Sequence, residues 1–251
     1  MCRHLGYLGP ARTLAALLLQ PPHSLLRQTW APTDMRRGGT VNADGFGVGW
    51  YPDGVQEPVR YRRGVPLWTD PSFASFASVT SSSAVLAAVR SATVGTPVSE
   101  QACAPFTDGR WLFSHNGRVS GWPESLTALA ERLPVADLIT LEAPTDSALL
   151  WALVRHRLRA GADPADALAV TVADVVGASP DARLNLMITD GHVLAATTWW
   201  HSLSVLRTPD AVVLASEPWD DDERWQPVAD RHLVLASRTA DGAPVVQYRP
   251  L

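Results

Sequence analysis

From Arg183 to the C-terminus the chain alternates short apolar runs with turns. "RLNLMITDGHVLAATTW" is two such runs around Thr189-Asp190-Gly191-His192, and Asp-Gly between apolar runs is a strong hairpin signal. "LSVLRT", "AVVLASEP", "HLVLAS" and "APVVQYR" continue the series at meander spacing. Strands this close together must pair antiparallel, because a parallel pair needs a crossover of about a dozen residues or more. The segment is therefore antiparallel sheet, and the rest of the chain has to supply what covers it.

Upstream, three stretches read as helix: "WPESLTALAERL", "PTDSALLWALVRHRLRAG" and "DPADALAVTVADVVGA". The last opens on Asp163 with Pro164 in the first turn. Before them the chain is strand-rich again. "CRHLGYLG" reads as a short strand ending at Gly9, and "DGFGVGWYPDGVQEPVRYRRGVPLW" as two strands around the Pro52-Asp53-Gly54 turn. "SAVLAAVRSA" and "RWLFSHNG" look like buried strands, whereas "ARTLAALLLQ", "HSLLRQT" and "PSFASFASVTS" are short helical candidates. Strands, helices, then strands, with no linker, repeat or low-complexity segment, indicate an α+β layered fold and a single domain over residues 1–251.

Composition narrows the function. A formal net charge of −4 argues against nucleic acid as the main partner. No apolar stretch reaches membrane-spanning length, and "LAALLLQPP" lacks the cleavage site of a signal peptide, so a cytoplasmic location away from membranes is expected. All 21 basic residues are Arg, which excludes a lysine base or Schiff base. Two cysteines, Cys2 and Cys103, form neither a disulfide framework nor a metal cluster, so no metal and no cofactor are expected. A single bridge between the two is left open, as is a homo-oligomer.

Cys2 stands directly behind the initiator Met. Removal of Met1 would leave it with both a thiol and an α-amine whose pKa lies near 8. A nucleophile carrying its own base is one established route to an activated Cys. The alternative is a small apolar residue in a first strand.

Four further segments are chemically unusual. "NADGFGVGWY" places three glycines in a strand, which suggests close approach of backbone to another group or simply a packed turn. "AVRSATVGTP" ends an apolar strand on Arg90, whose guanidinium calls for either a ligand carboxylate or an internal acidic partner. "LFSHNGRV" runs a strand into His115-Asn116-Gly117, where an Asn amide and a Gly N–H offer two donors to one oxyanion or form an Asn-Gly turn. "PTDSALL" puts Thr145 or Asp146 at a helix cap, with Asp146 otherwise free to face a ligand ammonium.

In this order along the chain the motifs resemble the class II glutamine amidotransferases, over roughly residues 2 to 200. The resemblance implies an N-terminal-nucleophile hydrolase fold, a four-layer αββα sandwich of two antiparallel sheets between helical layers. It also implies Cys2 as the nucleophile attacking a γ-glutamyl amide, with Asn116 and the Gly117 N–H as the oxyanion hole. Arg90 would hold the substrate α-carboxylate and Asp146 the α-ammonium, with Thr93 and His115 assisting in substrate binding.

Two departures stand out. Many members open Cys-Gly-Ile where this chain has Cys-Arg-His, and no synthase region follows the glutaminase region. The chain thus reads as a plain hydrolase of a small-molecule γ-glutamyl compound, or as a glutaminase subunit feeding a separate synthase; a non-catalytic relative is the third reading. "MCRHLGYLG" with "NADGFGVGWY" looks most like stand-alone γ-glutamyl hydrolases whose leaving part carries a trimethylammonium group. Trp30, Trp50, Trp68, Trp111 and Trp122 supply candidates for an aromatic wall, and at least one Trp is expected to line the pocket. His4 should share a face with Cys2. "EPWDDDERWQP" (217–227) reads as a solvated loop rather than a lid.

Overall fold

The computed structural model describes residues 2–36, 41–239 and 241–251. It begins with β1 (Arg3–Thr13), α1 (Leu14–Leu18), β2 (Phe46–Trp50), β3 (Val59–Arg63), α2 (Pro71–Ala77) and β4 (Ser81–Val89). β5 (Phe106–Asp108) and β6 (Trp111–Arg118) follow. Then come α3 (Thr127–Ala130), α4 (Val135–Ile139), α5 (Asp146–Arg159) and α6 (Pro164–Ala178). The remainder is β7 (Arg183–Thr189), β8 (Val193–Thr198), β9 (Ser204–Arg207), β10 (Val212–Ala215), β11 (Gln226–Pro227), β12 (His232–Arg238) and β13 (Pro244–Pro250).

The helix starts follow from their caps. Asp163 Oδ1 accepts the Ala165 N–H at 2.8 Å with Pro164 behind it, and Thr145 Oγ1 accepts the Ala148 N–H at 3.2 Å. α2 opens in the same way, on Asp70 and Pro71.

The strands form two antiparallel sheets. One has the order β11-β9-β10-β1-β4-β2-β3 and the other β13-β12-β8-β7-β6-β5. The C-terminal strands are therefore not one meander. After β8 the chain crosses to the first sheet for β9, β10 and β11, then returns for β12 and β13. β8, β9, β10 and β12 are alike short and apolar in whichever sheet they pair, so local pattern carried no mark of the crossing.

Side-chain alternation then builds the layers. Leu5 and Tyr7 of β1 pack with α1 and α2 on the outer face of the first sheet. Leu8 meets Leu112, Met187 and Leu194 of the second sheet in the interior between the two. The outer face of the second sheet is covered by α5 and α6 through Leu150, Leu153, Leu168 and Val172. A four-layer αββα sandwich results, as the family resemblance implied. The sheets approach closely at Gly6, where a Cβ would stand 2.6 Å from Leu194 and 2.9 Å from Met187.

Element boundaries differ from expectation where tertiary pairing overrides local pattern. β1 runs on past Gly9 to Thr13, because its far end pairs with Ser81 and Ser82 of β4; the helix expected from Ala11 starts only at Leu14. "HSLLRQT" contributes only a single 3₁₀ turn at Arg27–Thr29.

Candidate active site

β1 is the middle strand of its sheet, and Cys2 lies one residue ahead of it. Arg3 pairs with Val89 of β4, so the next step of that register brings Cys2 to the turn at Arg90 and Ser91. The Cys2 thiol points at the Ser91 carbonyl, 3.7 Å away. Arg90 is held from the other side as well. Its N–H donates to the Gly45 carbonyl at 2.8 Å, and its carbonyl accepts the Asp44 N–H at 3.0 Å. The "NADGFGVGWY" strand is thus the backbone clamp on Arg90, and the Asp44 carboxylate also accepts the Ala92 N–H.

The Arg90 side chain is buried, yet no carboxylate among the described residues lies within 4.0 Å of its guanidinium. It donates instead to the neutral Pro97 carbonyl at 2.8 Å and to Thr96 Oγ1 at 3.2 Å. Of the two partners sequence left open, the internal acid is absent. Thr93 lies in the turn these bonds organise, its carbonyl accepting from Thr96.

The second sheet supplies the opposite wall. Asp146, the first residue of α5, accepts the Val119 N–H at 2.9 Å and the Ser147 N–H at 2.7 Å, which ties the end of β6 to the start of the helix. A carboxylate at a helix N-terminus is in its favoured place. One cavity is then lined by Cys2, Arg90, Thr93, Gly117, Asp146 and Ser147. An adjoining cavity shares Cys2, Arg90 and Ser147 and adds His115, Cys103 and Phe106. Every expected site residue except Asn116 lines one or both.

Asn116 is fully buried one step behind the wall. Its Nδ2 donates to Ser216 Oγ at 3.3 Å, the same oxygen that accepts the His4 N–H. Gly117 faces the cavity, and no larger residue fits there: a Cβ would stand 1.9 Å from the Arg183 carbonyl oxygen. His115 bridges the Arg183 carbonyl and Ser147.

Three contributors went unread in sequence. Ser147 stands in both cavities, but a serine in a first helical turn carries no signal beyond capping. Cys103 is fully buried and its thiol donates to the Arg63 and Ser99 carbonyls; burial pushes its pKa up to about 11, so it forms a neutral wall. Both thiols are free. Glu217 is the third. Its Oε2 accepts from the Thr33 N–H, the Thr33 hydroxyl and the Asp34 N–H, while Arg3 reaches from the Cys2 carbonyl to the Asp34 carbonyl. The 217–227 loop is therefore not simply solvated: Glu217 and Trp219 are buried.

Behind the cavity lie two buried histidines. His4 does share the inter-sheet face, with Nδ1 at 3.2 Å from Ser114 Oγ, and burial together with the charges of His115 and Arg3 lowers its pKa to about 3. His201 is lowered to about 3 by burial and then by Arg183, Arg3 and His115. No tryptophan lines either Cys2 cavity; Phe46 and Phe106 are the aromatic walls. No cluster of three or more metal-binding side chains occurs among the described residues, and none of their helices is long and apolar enough to cross a membrane. The state of Met1, on which the Cys2 α-amine depends, lies outside the described residues.

Comparison with known proteins identifies the family. A model of the class II glutamine amidotransferases matches residues 29–210. The chain is 48% identical over 235 residues to the γ-glutamyl-hercynylcysteine sulfoxide hydrolase of Mycolicibacterium smegmatis, covering 93% of this chain and 95% of that protein. It is 46% identical to the hydrolase of the same name from Mycobacterium tuberculosis, covering 93% and 92%. A solved class II domain protein from Silicibacter pomeroyi superposes with a TM-score of 0.68 at 25% identity over 99% of both chains. The Bacillus subtilis glutamine phosphoribosylpyrophosphate amidotransferase shares the fold, with a TM-score of 0.67 at 14% identity over 99% of this chain and 49% of that one. The chain belongs to the class II glutamine amidotransferase family.

Proposed function

We propose that this chain hydrolyses the γ-glutamyl amide bond of γ-glutamyl-hercynylcysteine sulfoxide, releasing glutamate as a step of ergothioneine biosynthesis. The observation that carries the reading is a buried arginine without an acidic partner in the cavity that holds a free thiol and a carboxylate: Arg90, Cys2 and Asp146. A γ-glutamyl group ends in an α-carboxylate and an α-ammonium, so it needs one fixed cation and one fixed anion beside the nucleophile. Arg90 meets the carboxylate in a charge-assisted pair and Asp146 the ammonium.

The chemistry then runs at the γ-carbonyl. The α-amine of processed Cys2 takes the thiol proton, and sulfur attacks the carbonyl carbon. The Gly117 N–H steadies the oxyanion from the cavity wall, and the second Nδ2 hydrogen of Asn116 joins it when the bound substrate draws that amide forward from Ser216. The protonated amine passes its proton to the leaving nitrogen as the C–N bond breaks, giving a γ-glutamyl thioester. Water, losing a proton to the same amine, cleaves the thioester to glutamate and free thiol. Thr93 and His115 assist binding, Thr93 at the cavity edge and His115 through Ser147. Two free cysteines suit a reducing compartment, and we place the activity in the cytoplasm.

The test is glutamate release by purified protein from γ-glutamyl-hercynylcysteine sulfoxide and from glutamine, with Cys2→Ala as control. Fast release from the sulfoxide that Cys2→Ala abolishes is the expected result. Preference for glutamine would overturn the substrate in favour of a glutaminase subunit, and release from neither would leave a non-catalytic relative.

A further inference from the structure

Arg118 and Arg183 end their strands directly opposite each other in the β6–β7 ladder. Like charges in directly opposed positions are destabilising, and proteins usually place an acid nearby. Here no carboxylate among the described residues lies within 4.0 Å of either guanidinium. Arg118 is exposed and Arg183 half-buried, and desolvation and then the Arg118 charge lower the Arg183 pKa.

The pair also stands in a particular place. On β6, Asn116 faces the first sheet through Ser216, and Arg118 is two residues further along the same face. On β7, Met187 faces the first sheet at Gly6, and Arg183 continues that alternation through Asn185. On β1, His4 faces the second sheet through Ser114, and Cys2 is the next residue of that face. Cys2, Arg118 and Arg183 therefore open onto one end of the space between the sheets, and His201 is buried where the charges of Arg183 and Arg3 converge.

Arg183 is braced there. Its guanidinium lies over the ring of Trp200, 4.9 Å from the centroid. Trp200 is held in the left-handed region at φ +89°, with its N–H on Asp230 and its carbonyl on Arg36. A half-exposed tryptophan in that conformation is a strained residue kept by its surroundings, a state that concentrates at ligand-contacting positions.

We propose that Arg118 and Arg183 bind a carboxylate on the leaving part of the substrate, and that they select γ-glutamyl conjugates of α-amino acids over glutamine and simple γ-glutamyl amides. The inference rests on the Cys2 site proposed above. When an α-amino acid is the leaving part, its carboxylate is separated from the scissile nitrogen by a single carbon, so it stands at the mouth while the glutamyl end occupies the Arg90–Asp146 cavity. Glutamine leaves as ammonia and has nothing to offer this pair.

γ-Glutamylalanine and γ-glutamylethylamide differ only by that carboxylate, and they make the test. Wild-type protein is expected to turn over γ-glutamylalanine with kcat/KM higher by roughly 10- to 100-fold, the range of a hydrogen bond to a charged group. Arg183→Gln and Arg118→Gln should each remove most of this preference while leaving γ-glutamylethylamide unchanged. Equal kcat/KM for the two in wild type, or parallel losses on both in the variants, overturns the proposal and leaves the Cys2 site intact. Release of glutamate from neither, nor from γ-glutamyl-hercynylcysteine sulfoxide, overturns the site reading as well.

Discussion

His115 donates from Nε2 to the carbonyl of Arg183 at 2.8 Å, and a carbonyl can only accept. In the neutral imidazole Nδ1 is then an acceptor, and of the two acceptors within reach of the Ser147 hydroxyl it is the nearer, at 2.9 Å against 3.3 Å for Asp146 Oδ1. A hydroxyl donating to Nδ1 turns a lone pair to the cavity, beside Asp146.

Ser147→Ala removes an acceptor for the substrate ammonium. KM for a γ-glutamyl substrate should rise by about tenfold with kcat little changed, in line with one hydrogen bond to a charged group. His115→Gln should do the same, because the hydroxyl is then free to turn. Steady-state kinetics on both variants decide this, and a fall in kcat with KM unchanged would refute the orientation.

Arg90→Gln keeps a donor for the Pro97 carbonyl but removes the charge. The expected result is a KM increase of roughly 10- to 100-fold. Substrate binding by calorimetry in the Cys2→Ala background reads this apart from chemistry. Unaltered affinity would mean that the carboxylate binds elsewhere.

Gly117→Ala forces a methyl against the Arg183 carbonyl, so the β6–β7 ladder must part. A stability loss of about 1–3 kcal/mol follows from overpacking. Activity should fall further than stability explains, because the displaced N–H is the proposed oxyanion donor. Denaturant unfolding together with kcat tests both; a fully active variant would place that donor elsewhere.

His4 and His201 are neutral in the fold with pKa values lowered to about 3, against 6.5 for an ordinary histidine. Between those values the unfolded chain binds protons that the folded chain refuses. Their contribution is therefore intact above about pH 6.5 and declines as pH falls toward 3, by up to about 1.4 kcal/mol per pH unit for each histidine. Melting temperature measured from pH 7 to pH 4 should drop, and His201→Gln should flatten the slope. An unchanged slope would show that His201 takes up a proton in the fold as readily as in the unfolded chain.

The hairpin at Asp190-Gly191, the caps at Asp163 and Thr145 and the strand at "SAVLAAVRSA" were legible because local chemistry decides them. The sheet order was not, because β1 joins β10 through contacts between the two ends of the chain, and no short window records that. Cys2, Arg90, Gly117 and Asp146 were legible as a set through family resemblance, and the structure brings them to one cavity. Ser147 and Glu217 were not. Their importance comes from what other segments place next to them, His115 for one and Thr33 and Asp34 for the other. Asn116 shows the reverse limit. Its motif was readable, but only the register against Ser216 puts its amide behind the cavity wall.

The strand that follows Cys2, the proposed nucleophile, is the first made and among the last completed. Leu5 pairs with Ala215, so one edge of β1 stays open during synthesis until residues 212–215 arrive. Contacts of such long sequence separation slow folding, and they make it conditional on a nearly whole chain. A product truncated before Val212 would lose one flank of the nucleophile strand rather than a peripheral piece. Catalytic competence is thereby coupled to complete translation, and an unfinished chain carries a thiol without the surroundings that would set it to work.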